Sequence, residues 1–136
     1  MNILRFIIPK SSVEFIYDTS TVRQAFEKMR YHRYVAIPVL NENGVYVGTI
    51  RNDDILEYLI EKSKRAAEKE SVMNLLDKDY CKPLYHNAPL DRLFEEAKEH
   101  NFIPVVDDRK CFIGIILRRD VLEFLKEFYK EKTKEV

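Results

Sequence analysis

The sequence predicts an α/β chain built from one β-α-β-β-α unit written twice. Three observations carry that expectation: an ungapped internal repeat, paired apolar runs of strand length, and helical periodicity on either side of them. A shift of 66 residues lays Ile37-Pro38-Val39 on Ile103-Pro104-Val105, Gly48 on Gly114, Ile50 on Ile116 and Asp54 on Asp120. The same shift lays Leu56-Glu57 on Leu122-Glu123 and Leu59 on Leu125, while Tyr46 with Phe112 and Val47 with Ile113 are conservative pairs. Upstream the shift becomes 68, with Tyr17 on Tyr85, Val22 on Leu90 and Phe26 on Phe94. The second unit is therefore two residues shorter between its first helix and its Ile-Pro strand.

Each element has a local cause. Val13 to Tyr17 reads as a short strand. Asp18-Thr19-Ser20-Thr21 offers helix caps, and Thr21-x-x-Gln24 fits a capping box. Val22, Ala25, Phe26 and Met29 then recur at helical spacing and form one apolar face. Tyr34 to Leu40 is a nearly continuous apolar run, as a strand buried on both faces requires. Asn41-Glu42-Asn43-Gly44 is a turn whose Asn-Gly supplies positive φ, and Val45 to Ile50 is the return strand. Asp53 or Asp54 opens a helix carrying Ile55, Leu56, Tyr58, Leu59 and Ile60. The second unit repeats the order. Pro89 stands near a helix start, Leu90, Leu93, Phe94 and Ala97 form the apolar face, and Phe102–Val106 pairs with Cys111–Ile116 through Asp107 to Lys110. A last helix begins near Arg119. Between the units, Glu61 to Glu70 is polar enough to extend a helix and link, and Val72 to Leu76 is apolar enough to pack back.

Composition narrows the function classes. The 136 residues carry 23 basic and 23 acidic side chains, a balance unlike the basic excess of a nucleic-acid binder. Three glycines cannot build a Gly-rich phosphate loop. No apolar run reaches the roughly 20 residues of a membrane helix, and Arg5 and Pro9 interrupt the apolar start, so a cytoplasmic location is expected. Cys81 and Cys111 have no metal-ligand spacing and read as reduced thiols. His32, His86 and His100 are dispersed, and no nucleophile or acid–base pair emerges from spacing. A non-enzyme without metal or cofactor is expected.

The phrases Ala36-Ile37-Pro38-Val39-Leu40 with Val47-Gly48-Thr49-Ile50, and Phe102 to Asp107 with Ile113-Gly114-Ile115-Ile116, resemble the CBS (cystathionine-β-synthase-type) family. The resemblance covers nearly the whole chain. It implies two repeats packed about a pseudo-twofold axis with two clefts between them, and a disc-like homodimer of such pairs. The domain reading is repeat one over 1–62 with the N-terminal segment, a helical linker over 63–78, repeat two over 79–129 and a charged tail over 130–136. The narrower resemblance of Tyr34 to Leu40 and of the Arg118-Arg119 ending is to small stand-alone bacterial CBS proteins that bind cyclic di-AMP and release a partner enzyme.

The strongest chemical candidate is Arg118-Arg119-Asp120, where strand enters helix. Helix-terminal N–H groups and guanidinium groups favour phosphate, and a carboxylate can accept from ribose hydroxyls. Read without the family, the same residues are a helix cap and two solvated arginines. Carried over by position, the family implies a first cleft of Ser12, Val13, Tyr34, Val35, Ala36, Pro38, Ile115, Arg118, Arg119 and Asp120. It implies a weaker second cleft of Cys81, Lys82, Phe102, Ile103, Arg51, Asn52 and Asp54, where Asp53 opposes phosphate. The family's nucleotide-binding members usually carry Thr or Ser three residues after the Gly, where this chain has Arg51 and Leu117. The expected ligand is AMP, ADP, ATP or cyclic di-AMP, with cationic S-adenosylmethionine the poorest fit. The expected partners are a second copy of the chain and a protein the sequence does not name. The alternative is a dimerisation or docking protein with degenerate clefts.

Overall fold

The computed structural model describes residues 1–134. Its strands are β1 (Ile8–Pro9), β2 (Ile16–Tyr17), β3 (Ala36–Leu40), β4 (Tyr46–Arg51), β5 (Leu84–Tyr85), β6 (Phe102–Val106) and β7 (Phe112–Leu117). Its α-helices are α1 (Val22–His32), α2 (Asn52–Glu61), α3 (Lys64–Ala67), α4 (Leu90–Glu99) and α5 (Arg118–Lys134). One sheet has the order β2-β3-β4 and the other β1-β7-β6-β5. In each repeat the first strand pairs parallel to the Ile-Pro strand, which pairs antiparallel to the Gly strand. The repeat is thus matched in three dimensions, down to a register shift at Val39/Leu40 and again at Val105/Val106.

The local signals act as their chemistry dictates. The Thr21 hydroxyl accepts from the Gln24 backbone N–H at 3.2 Å and the Gln24 side chain accepts from the Thr21 N–H at 2.9 Å, a complete capping box. Val22, Ala25 and Met29 bury the inner face of α1 against Ile37, Val39 and Ile50. Leu93 and Ala97 of α4 do the same against Ile103, Val105 and Ile116. A third apolar cluster of Leu40, Tyr46, Val106 and Phe112 joins the repeats on the pseudo-twofold axis, where the equivalent rings of Tyr46 and Phe112 stack. The turns meet there too: Tyr46 N–H donates to the Lys110 carbonyl at 3.1 Å and Phe112 N–H to the Gly44 carbonyl at 2.9 Å.

The segments before the first helices differ from expectation. Only Ile16–Tyr17 of the segment 13–17 is strand, because Val13 and Phe15 turn into the inter-repeat cluster. The N-terminal segment packs on the second repeat. β1 adds to β7, and Ile3 and Phe6 are buried beside Leu93 and Val121. The linker performs the reciprocal packing on repeat one, burying Ala67 and Val72. Leu76 covers Gly48 as Ile7 and Ile8 cover Gly114. The helix α2 does not extend through the linker: it stops at Glu61, and Ser63 caps a new turn by accepting from Ala66 N–H. Through residues 130–134 of the expected charged tail α5 runs unbroken to Lys134, and residues 135–136 lie outside the described residues.

Candidate functional site

The inter-repeat cleft holds most of the residues named from sequence. Ser12, Val13, Tyr34, Val35, Ala36, Pro38 and Ile115 line one cavity of about 390 Å³. The register explains the gathering. Pro38 lies opposite Thr49 and Pro104 opposite Ile115, so the sheet faces of the two hairpins look into the same space. Sequence reasoning missed five further lining residues, Ile8, Glu14, Arg33, Asn101 and Leu117, and assigned a sixth, Phe102, to the other cleft. Ile8 arrives through the swapped N-terminal strand. Arg33 is aimed by its left-handed conformation (φ 60) at the end of α1, a position the chain spacing did not flag.

The cavity has an apolar slot and a polar rim. Ala36, Pro38, Phe102, Ile115 and Leu117 make flat apolar walls suited to a heterocycle. Tyr34, Ser12 and Arg33 offer donors. The Tyr34 ring stacks on His32 at 5.2 Å with planes 18° apart, which leaves one face for the cavity. Burial, and next Glu14, pushes the Tyr34 hydroxyl above the ordinary tyrosine range, so at neutral pH it is a donor. Glu14 is itself held by Lys28 at 3.1 Å.

Arg118, Arg119 and Asp120 do not line that cavity; Asn101 and Leu117 also border a neighbouring hollow with Arg118, Arg119, Leu122, Glu123 and Lys126. The three charged residues at this corner have different fates. Arg118 is committed: its Nε donates to the Ala97 carbonyl at 2.7 Å, so it caps the C-terminus of α4. Arg119 is exposed, with 83% of its side chain in solvent. Asp120 lies in the first turn of α5, its carboxylate 4.0 Å from Arg119 Nε, and accepts no hydrogen bond among the described residues. The plain cap reading holds only for Arg119, which is solvated; Asp120 accepts no capping bond among the described residues and Arg118 is bound to the Ala97 carbonyl.

The second cleft is different. The Asp54 carboxylate accepts from Arg51 Nε and Nη2, both at 3.0 Å, and from the Arg51 backbone N–H at 3.1 Å. The Arg51 guanidinium lies over the Tyr80 ring, 4.2 Å from its centroid. Cys81 is buried, with the Tyr46 hydroxyl donating to its carbonyl at 2.8 Å. Burial pushes the Cys81 thiol up to about 12. One residue expected in this cleft stands elsewhere: Ile103, 1% exposed, packs in the second repeat's core, since register makes it the counterpart of core-facing Ile37. Phe102, the counterpart of Ala36, keeps its carbonyl 3.6 Å from Cys81 Sγ and also lines the first cleft. Lys82 is exposed.

No helix of the described residues is long and apolar enough to cross a membrane. Among them, no three His, Cys, Asp or Glu side chains are grouped to hold a metal ion. Two repeats, a shared core on a pseudo-twofold axis and a cleft between the repeats define a tandem-repeat module. The CBS domain family model matches residues 7–61 and 80–127, and the chain belongs to that family. It is similar to the Methanocaldococcus jannaschii protein MJ1225, 29% identical over 88% of this chain and 48% of the relative. A second relative, L-aspartate semialdehyde sulfurtransferase of the same organism, is 23% identical over 77% of this chain and 20% of its own length. The chain thus spans half or less of the curated relatives it matches. Among solved structures, CbpB in complex with c-di-AMP superimposes with TM-score 0.87 at 22% identity, over 100% of this chain and 91% of that one. Listeria monocytogenes CbpB in complex with c-di-AMP gives TM-score 0.84 at 21% identity, over 93% and 96% of the two chains. At these identities the likeness shows the fold.

Proposed function

We propose that this CBS pair is a non-catalytic regulatory module that binds an adenine nucleotide in the first cleft and signals its occupancy to a partner protein. One observation carries the reading: Asp120 accepts no hydrogen bond among the described residues and stands beside exposed Arg119, which lines a hollow that shares Asn101 and Leu117 with the apolar slot. The slot takes the base, Asp120 the ribose hydroxyls, and Arg119 with Arg33 the phosphates. The departure at Leu117 assists this arrangement. An arginine in that place captures the carboxylate in repeat one, and leucine leaves Asp120 available. Arg118 acts through α4 and is a positioning residue. The c-di-AMP bound by CbpB makes cyclic di-AMP the first candidate, followed by AMP, ADP and ATP.

Signalling needs two states of unequal affinity. A cleft between two repeats provides them, since a ligand touching both changes the angle between the sheets. The pair acts as a homodimer: Leu56 and Ile60 on α2 and Leu122 and Phe128 on α5 expose apolar side chains on helices related by the repeat. A docking protein without nucleotide is the second reading, favoured by the filled second cleft. A thermal-shift screen against cyclic di-AMP, AMP, ADP, ATP and S-adenosylmethionine separates the two. A ligand at 100 times its Kd adds about 2.7 kcal/mol to stability. The regulatory reading expects such a shift with one adenine nucleotide, lost in Arg119→Ala; a flat screen supports docking.

A further inference from the structure

We propose that Arg51 and Tyr80 are resident occupants of the second cleft, and that they hold closed a latent nucleotide site built on Asp54. The inference deepens the reading of the first cleft, since it fixes how many nucleotides one chain takes, but its decisive test uses the second cleft alone.

Pseudosymmetry sets the argument. Register makes Arg51 the counterpart of Leu117, Thr49 that of Ile115 and Asp54 that of Asp120. The backbone frame at the two helix starts is the same: Asn52 N–H donates to the Val35 carbonyl at 2.8 Å, and Arg118 N–H to the Asn101 carbonyl at 2.8 Å. Upstream, the shift of 68 makes Tyr80 the counterpart of Ser12. At two positions, then, the first cleft has a small or neutral side chain and the second has a large one. The two large ones meet. The Arg51 guanidinium is clamped bidentate on Asp54 and covered by Tyr80, whose ring also meets the His100 ring in a T-shaped contact at 4.9 Å.

The clamp supplies what a ligand would supply. Two N–H donors satisfy the Asp54 oxygens in place of ribose hydroxyls, and a planar aromatic ring fills space in place of a base. A nucleotide entering here must break two charge-assisted bonds and a cation–π contact before making its own. Asp120 imposes no such cost. The His100 Nδ1, on the ring that Tyr80 contacts, is buried and without a partner among the described residues.

The test transplants the first cleft's residues into the second. Arg51→Leu with Tyr80→Ser is made in an Asp120→Ala background, which removes the first site. AMP and cyclic di-AMP are each titrated calorimetrically, with folding checked by circular dichroism. The proposal expects the wild type to bind at most one AMP per chain. It expects the opened triple variant to gain a site that the further change Asp54→Ala abolishes. A folded triple variant that binds neither nucleotide overturns the proposal, as does wild type binding that Asp54→Ala removes. If the double replacement does not fold, Arg51→Leu in the same background, which frees Asp54, is held to the same outcome. Binding by the opened variant when wild type binds nothing sustains this inference while refuting the first-cleft reading.

Discussion

Replacing Gly114 by alanine should cost more than replacing its counterpart Gly48, although the two backbones are nearly superimposable. Their φ angles are +155° and +154°, where an L side chain is strained. That strain is worth about 1–3 kcal/mol at either site. What the new methyl group meets then separates them. At Gly48 it comes within 2.7 Å of Leu76 Cδ1, the end of a side chain that can rotate. At Gly114 it runs into the Ile8 carbonyl oxygen, backbone that β1 holds against β7. Relief there requires β1 to lift away and take Ile3 and Phe6, 0% and 8% exposed, with it. Each such side chain returned to water costs about 1.5–3 kcal/mol. The expected losses are about 5 kcal/mol for Gly114→Ala and about 3 kcal/mol for Gly48→Ala. Urea unfolding measures both, and a lifted strand also lowers the m-value of the Gly114 variant. Because β1 brings Ile8 to the first cleft, that variant should lose nucleotide affinity as well. Equal urea midpoints and equal m-values for the two variants would refute the packing argument.

Three other perturbations follow from single contacts. Thr21→Ala removes half of the capping box and should lower stability by about 1 kcal/mol in urea titration, with no effect on nucleotide binding. Arg118→Ala frees the α4 carbonyls and should cost about 2 kcal/mol of stability without ligand, whereas exposed Arg119→Ala should stay within about 0.5 kcal/mol and weaken nucleotide binding. Cys81 should resist alkylation near neutral pH, because burial holds its thiol protonated up to about 12. The folded thiol keeps its proton above the ordinary value of 9.0, so unfolding releases a proton between about 9 and about 12 and stability falls as pH rises through that window. Urea midpoints at about pH 8 and about pH 10.5 check this: the drop should be smaller in Cys81→Ala than in wild type.

Much of the fold was legible because the repeat records it twice. Ile-Pro-Val, the Gly strand and the following Asp recur at one spacing, so each strand or helix is supported by its copy. The capping box and the Asn-Gly turn are local, and local chemistry is readable. The swapped N-terminal strand was not, because two residues leave no periodicity and its partner β7 lies more than a hundred residues on. The walls of the first cleft followed from position within the repeat. The charges did not. Arg118 and Arg119 are neighbours of equal type, and only the fold brings the α4 carbonyls to one of them. The Arg51–Asp54 pair had a signal in its i,i+3 spacing at a helix start. Tyr80 above it is a tertiary contact that no spacing announces.

The most direct test is isothermal titration of cyclic di-AMP and AMP into wild type, Asp120→Ala and Asp54→Ala proteins. The account predicts binding to wild type and to Asp54→Ala, and its loss in Asp120→Ala. Binding that survives Asp120→Ala but disappears in Asp54→Ala, or no binding to wild type, would contradict it.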